Sequence, residues 1–196
     1  RRPYRGRSVR ARRGGDERVE GIRCPSRPAR PRAHLIMRHL WVDRIEVSEP
    51  GVKAVGRKAV GSSEDFFADH FPGNPVFPGV YLVEGMAQTA GALIGRHSDW
   101  TEFVLMVSVD RARFSSFVRP GELVEYAVEV EERSREVATV RAEASVAGRS
   151  VARARITFRI LPLGEMIPPL YADYWKHTLA RLFEPGGSDP EGRNDS

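Results

Sequence analysis

A chain of 196 residues with 41% hydrophobic and 29% charged residues has room for one ordinary domain with tails, and its composition excludes collagenous and wholly disordered chains. No uncharged apolar run approaches the roughly 18 residues of a membrane span, so no membrane partner is expected. The net charge of +5 points towards nucleic acid only until it is located: of 31 basic and 26 acidic residues, 12 and 3 lie in residues 1–36, leaving 19 and 23 for residues 37–196, a balance of −4 that argues against a nucleic-acid partner.

Residues 1–36 are rich in Arg, Pro and Gly and show neither helical nor strand periodicity, so they are expected to form a disordered arm, read as a non-native upstream extension with Met37 as the biological start. A basic tether or targeting segment is the other reading of this arm. Its Cys24 is the only cysteine, so the body has no disulfide and no thiol chemistry, and a reducing cytoplasm fits. The five histidines show no ligand spacing, and no metal is expected.

From Met37 the pattern becomes regular. Leu40 to Val47 mixes apolar and charged residues and ends at the turn signal Ser48-Glu49-Pro50-Gly51, after which Val52 to Val60 reads as a strand. Gly61 to Glu64 opens a short helical turn, with Ser63 as the expected N-cap and Phe66 and Phe67 as anchors. A long helix is expected from Gly79 to Arg96. Its glycines cost helix propensity and so predict close approach by another backbone.

Four strands follow, at Glu102–Val109, Glu122–Glu131, Glu136–Val146 and Ser150–Ile160, the last pair joined by a hairpin turn at Gly148-Arg149. In the last strand Arg153 and Arg155 face one side, against apolar Val151, Ala152, Ala154, Ile156 and Phe158. One apolar helix followed by consecutive antiparallel strands is an α+β pattern, with a curved sheet wrapped round the helix. A second, amphipathic helix from Pro168 to Phe183 caps the sheet or a partner subunit, and residues 185–196 form a frayed tail. The expected division is therefore an arm at 1–36, a domain at 37–162, and a helix with tail at 163–196.

The chemistry concentrates in His70-Phe71-Pro72-Gly73-Asn74-Pro75-Val76-Phe77-Pro78-Gly79-Val80 and in Glu84-Gly85-Met86-Ala87-Gln88. Three prolines stiffen the loop holding His70, as a general base requires. Glu84 lies about one and a half turns into an apolar helix, and desolvation favours the neutral acid form that suits a general acid. Base, acid and the N–H groups of Gly79 at the helix mouth suit proton abstraction beside a carbonyl with loss of a hydroxyl.

This joint pattern resembles the β-hydroxyacyl-acyl carrier protein dehydratases of the FabZ type. Glu64-Asp65-Phe66-Phe67, Val109-Asp110-Arg111-Ala112-Arg113-Phe114 and Arg119-Pro120-Gly121-Glu122 resemble the flanking family segments, so the likeness covers about residues 38–161. It implies a hotdog fold and a homodimer, or a higher oligomer built from dimers, in which His70 of one chain meets Glu84 of the other. It also implies that His70 takes the C2 proton of a 3-hydroxyacyl thioester linked to acyl carrier protein, that Glu84 assists departure of the hydroxyl, and that the Gly79 N–H polarises the carbonyl. The product is then a trans-2-enoyl thioester in fatty-acid or related acyl-chain biosynthesis, and no cofactor is implied.

Beside the catalytic residues, Gln88 is the candidate partner that orients Glu84. Phe71, Phe77, Val80, Tyr81 and Met86 are expected to line the acyl channel, and Arg111, Arg113 and Arg119 to dock the acidic carrier. Three positions depart from the family pattern. Asp69 puts a carboxylate beside the base, Tyr81 replaces an aliphatic residue and is expected to trim the channel, and Ser115-Ser116 thin a basic segment. The alternatives are a hotdog thioesterase, which leaves the pairing of the His loop with Glu84 unexplained, and a non-catalytic acyl-binding subunit.

Overall fold

The computed structural model describes residues 39–184. The Arg-rich arm with Cys24, the expected start at Met37 and the C-terminal tail lie outside the described residues.

Six antiparallel strands run β1 (Arg44–Glu49), β2 (Lys53–Ala59), β3 (Glu102–Phe114), β4 (Leu123–Arg133), β5 (Val137–Val146) and β6 (Arg149–Pro162). They form one sheet in the order β1-β2-β4-β5-β6-β3, which leaves β1 and β3 at the edges. Helix α1 (Gly79–His97) connects β2 to β3 and packs on the sheet's apolar face. The hotdog architecture expected from the sequence is thus present.

Register explains why the helix fits. Gly56, Tyr126, Ala144 and Ala152 lie abreast across β2, β4, β5 and β6, and so do Ala54, Val128, Ala142 and Ala154. These rows are mostly Gly and Ala, so the helix axis can approach the sheet, with the 0% exposed Tyr126 filling the remaining gap. The opposite face carries charges in cross-strand pairs, including Arg57–Glu125, Arg141–Glu129 and Arg153–Glu143.

The glycines of α1 answer side chains, and the expectation of a close backbone is corrected. A Cβ at Gly85 would overlap the Tyr126 ring, and one at Gly95 would crowd the Trp100 ring at 3.1 Å. Aromatic residues of the wrapping segments occupy the space that those two residues vacate.

Two local expectations also shift. The turn Asp65–Ala68 is a 3-10 helix whose N-cap is Glu64, without a capping side chain, because Ser63 lies one residue too early. The β5–β6 turn falls on Ala147 and Gly148, whose φ values of 49° and 75° match a two-residue hairpin turn requiring two left-handed residues. Beyond β6, the helix expected at Pro168–Phe183 is present as α3 (Pro169–Ala180) with a 3-10 turn at Arg181–Phe183, and an unforeseen short helix α2 (Leu163–Met166) precedes it across a break. The break falls at Ile167-Pro168, where the residue before a proline is pushed to extended backbone, here φ −114° and ψ 115°. No helix among the described residues is long and apolar enough to cross a membrane.

Candidate active site

The His70 loop is folded back on itself. His70 N–H donates to the Phe66 carbonyl at 2.9 Å, Val76 N–H to the His70 carbonyl at 2.8 Å, and Asn74 N–H to the Phe71 carbonyl at 2.9 Å. The imidazole Nδ1 lies 2.8 Å from the Val76 carbonyl oxygen. A carbonyl only accepts, so Nδ1 carries the hydrogen and the lone pair is left on Nε2. Asp69 is exposed, and the bond at Nδ1 runs to Val76, leaving the departure at Asp69 without a direct contact to the ring.

From outside the loop, Arg119 adds a brace. Its Nη1 donates to Asn74 Oδ1 at 2.8 Å, while its backbone N–H donates to Glu122 Oε2 at 2.7 Å. Arg119 therefore ties the segment entering β4 to the His70 loop. Its guanidinium makes this bond while the residue remains exposed. Arg111 and Arg113 are exposed on β3, where the pairing with β6 is irregular between Asp110 and Arg113.

His70 lines a cavity of ≈ 610 Å³ together with Phe71, Phe77, Gly79 and Val80. Gly79 is the first residue of α1, and its N–H finds no acceptor among the described residues, which leaves a polarised donor facing the same space as the base. A Cβ at position 79 would stand 3.0 Å from the Phe114 ring, so only glycine leaves this mouth open without moving Phe114.

Two of the five expected channel residues stand elsewhere. Tyr81 stacks on Trp41 with ring centroids 4.0 Å apart and planes at 12°, inside an aromatic cluster with Phe66 and Phe77. Met86 is fully buried in the core. Tyr81 lies about 200° round the helix axis from Gly79 and so points away from the face that opens there, whereas Met86, about two turns on, shares that face and is covered by the core.

Glu84 also leaves that face, being rotated by about 140° from Gly79 round the helix axis. It lines a separate cavity of ≈ 340 Å³. Gln88, one turn on, donates from Nε2 to Glu84 Oε1 at 2.9 Å, as the sequence reading anticipated. The amide is itself held: Nε2 also donates to the His39 carbonyl at 2.9 Å, and Oε1 accepts the Trp41 backbone N–H at 2.8 Å. One protomer therefore brings His70 to Gly79, and Glu84 to Gln88, in two different cavities.

Three supports of this site were not foreseen: the Val76 carbonyl, the backbone at His39 and Trp41, and Trp175 with Leu179 of α3 in the wall of the Glu84 cavity. The first two are main-chain groups, which carry no residue signature. Trp175 was visible as an aromatic on a short amphipathic helix, a pattern that ordinary packing also produces.

The model of the FabA-like domain family matches residues 34–155, the span that contains both cavities' helix and loop. The chain belongs to the FabA-like family. Among its relatives, the 3-hydroxyacyl-[acyl-carrier-protein] dehydratase FabZ of Chloroflexus aggregans is 41% identical over 122 residues, covering 62% of this chain and 85% of the relative. The FabZ of Pseudothermotoga lettingae is 45% identical over 118 residues, covering 60% and 82%. A conserved protein of Pseudomonas aeruginosa shares the fold at a TM-score of 0.50 and 20% identity, covering 61% of this chain and 88% of that one. The match to the family model ends at residue 155, within β6, so α2 and α3 lie outside the matched span.

Proposed function

We propose that this FabA-like protein dehydrates 3-hydroxyacyl thioesters, carried on acyl carrier protein, to trans-2-enoyl thioesters. The observation that carries the reading is the His70 cavity. It holds an imidazole whose tautomer is set by the Val76 carbonyl beside an unpaired N–H at a helix N-terminus. The Gly79 N–H donates to the thioester oxygen as charge develops there, and His70 Nε2 removes the C2 proton. As the C2–C3 double bond forms, the C3–O bond breaks and Glu84 delivers a proton, so that the hydroxyl leaves as water. Gln88 holds the Glu84 carboxyl in the required orientation.

Because His70 and Glu84 open into different cavities of one protomer, the complete site is assembled from two copies, with His70 of one facing Glu84 of the other. Support comes from the apolar surface round the His70 mouth: Phe71, Val80, Phe114 and Phe117 are between 52% and 67% exposed. Side chains of that size in one contiguous patch favour burial against a partner. Arg113 remains available to an acidic carrier, whereas Arg119 acts by bracing the His70 loop.

The test is turnover of a 3-hydroxyacyl carrier panel, read as enoyl product. His70→Ala and Glu84→Gln are each expected to lower kcat by at least about a hundredfold with unchanged thermal unfolding. Exchanged mixtures of the two inactive variants are expected to regain activity at one site per heterodimer. Product release by hydrolysis without enoyl formation would replace the dehydratase reading with a thioesterase.

A further inference from the structure

Helix α3 lies beyond the span that the FabA-like family model matches, yet it supplies part of the wall of the cavity that Glu84 enters. Its position there is fixed. Trp175 meets Trp100 edge-on at 6.0 Å between ring centroids and Phe103 at 5.6 Å, and Leu179 is buried. The Arg96 guanidinium lies 4.4 Å over the Phe183 ring, which pins the turn after α3 back onto the end of α1.

The cavity has a direction. Glu84 and Gln88 are its polar members, near the start of α1, while Trp175 packs through Trp100 against Gly95, eleven residues and about 16 Å further along the helix. Between them the floor is Ala87, Gly91 and Ala92, facing Val104 and Met106 of β3. Gly91 differs from the other helix glycines, since an added Cβ would meet only Val104, at 3.8 Å. Packing does not demand a glycine there, and its effect is to keep the passage wide.

We infer that this passage receives the distal part of the acyl chain and that Trp175 is its end wall, making α3 the element that sets acyl chain length. The inference rests on the dehydratase reading for the placement of the reacting carbons at Glu84. An apolar passage leading from the carboxyl that serves C3 suits an acyl tail, and a tail longer than the passage would have to displace an indole held by two aromatic partners. Trp175 is on this account a specificity residue contributed by α3, with Gly91 controlling the width ahead of it.

The experiment uses the full chain and 3-hydroxyacyl carriers of graded length. Trp175→Ala is expected to raise kcat/KM for chains beyond the wild-type optimum by about fourfold for each further methylene accommodated, equivalent to about 0.8 kcal/mol. Gly91→Leu is expected to shift the optimum to shorter chains. Should Trp175→Ala fail to fold, Trp175→Leu with Gly91→Leu gives the same reading from two opposed directions. Unchanged profiles in folded variants overturn the inference while leaving the dehydratase reading intact.

A second measurement separates the two independently. An acyl-pantetheine brominated at its terminal carbon is expected to quench tryptophan fluorescence in the wild-type protein, and to lose most of that quenching in Trp175→Phe. Quenching of this kind without turnover of any carrier supports the end wall and removes the dehydratase reading; quenching that persists in Trp175→Phe overturns the end wall.

Discussion

Gln88 on α1 and Tyr126 on β4 beneath that helix are two polar side chains treated in opposite ways. Gln88 satisfies both ends of its amide and so converts a flexible side chain into a fixed support for Glu84. The Tyr126 hydroxyl is buried and finds no hydrogen-bond partner among the described residues. Burial, helped by the nearby Asp43 carboxylate, pushes its phenol well above the usual tyrosine range, so it stays neutral at any working pH. Its contribution is the ring, which fills the space below Gly85. Tyr126→Phe keeps that volume and removes the unpaired hydroxyl, so it is expected to leave stability unchanged or raise it by about 1 kcal/mol. Turnover should be unaffected. A loss of more than about 1 kcal/mol in denaturant unfolding would show that the hydroxyl has a partner after all.

At the scale of the element, α1 presents different faces to different tasks, and this is where sequence reading both succeeded and failed. The helix, its proline entry and the strands that wrap it were legible because periodicity and turn residues report local geometry; β2, β4, β5 and β6 fall close to their expected spans, while β3 runs on from the expected end at Val109 to Phe114. The contact of Gln88 with Glu84 was legible from their spacing of one helical turn. The azimuth of each neighbouring side chain was not, because it depends on which segments pack against the helix. Tyr81 is the clearest case: assigned to the channel by nearness in sequence, it stacks on Trp41 from the segment before β1. Tyr81→Leu is therefore expected to cost about 1 kcal/mol of stability through lost stacking and to leave the chain-length profile unchanged. A shift of that profile towards longer chains would return Tyr81 to the channel wall. Arg119 shows the same limit, since only the fold places Asn74 within its reach.

For the whole molecule, the decisive feature is an edge. Strand β3 spans 13 residues at the end of the sheet, paired to β6 on one side only. Its apolar residues are uncovered, with Val107 55% exposed and Leu105, Met106 and Val109 between 37% and 38%. A long apolar edge of this kind is a template for pairing with another strand, and no charged side chain stands along it between Glu102 and Asp110. Two copies joined along β3 would bury this edge and carry the His70 mouth of each towards the Glu84 cavity of the other, since β3 contributes to the walls of both. Val107 is the residue on which to test this. It has no cross-strand partner, because the β3–β6 register shifts between Met106 and Ser108, so a substitution there perturbs little inside the protomer. Val107→Lys places a charge in the proposed junction and is expected to convert a dimer into a monomer in light scattering, with cooperative unfolding retained. Activity should fall with dimer content, by about a hundredfold or more in the fully monomeric protein, because each half-site then lacks either its base or its acid. A monomeric Val107→Lys protein with full turnover would place His70 and Glu84 in one chain's site and would end the two-copy arrangement, whatever the assembly of the wild type.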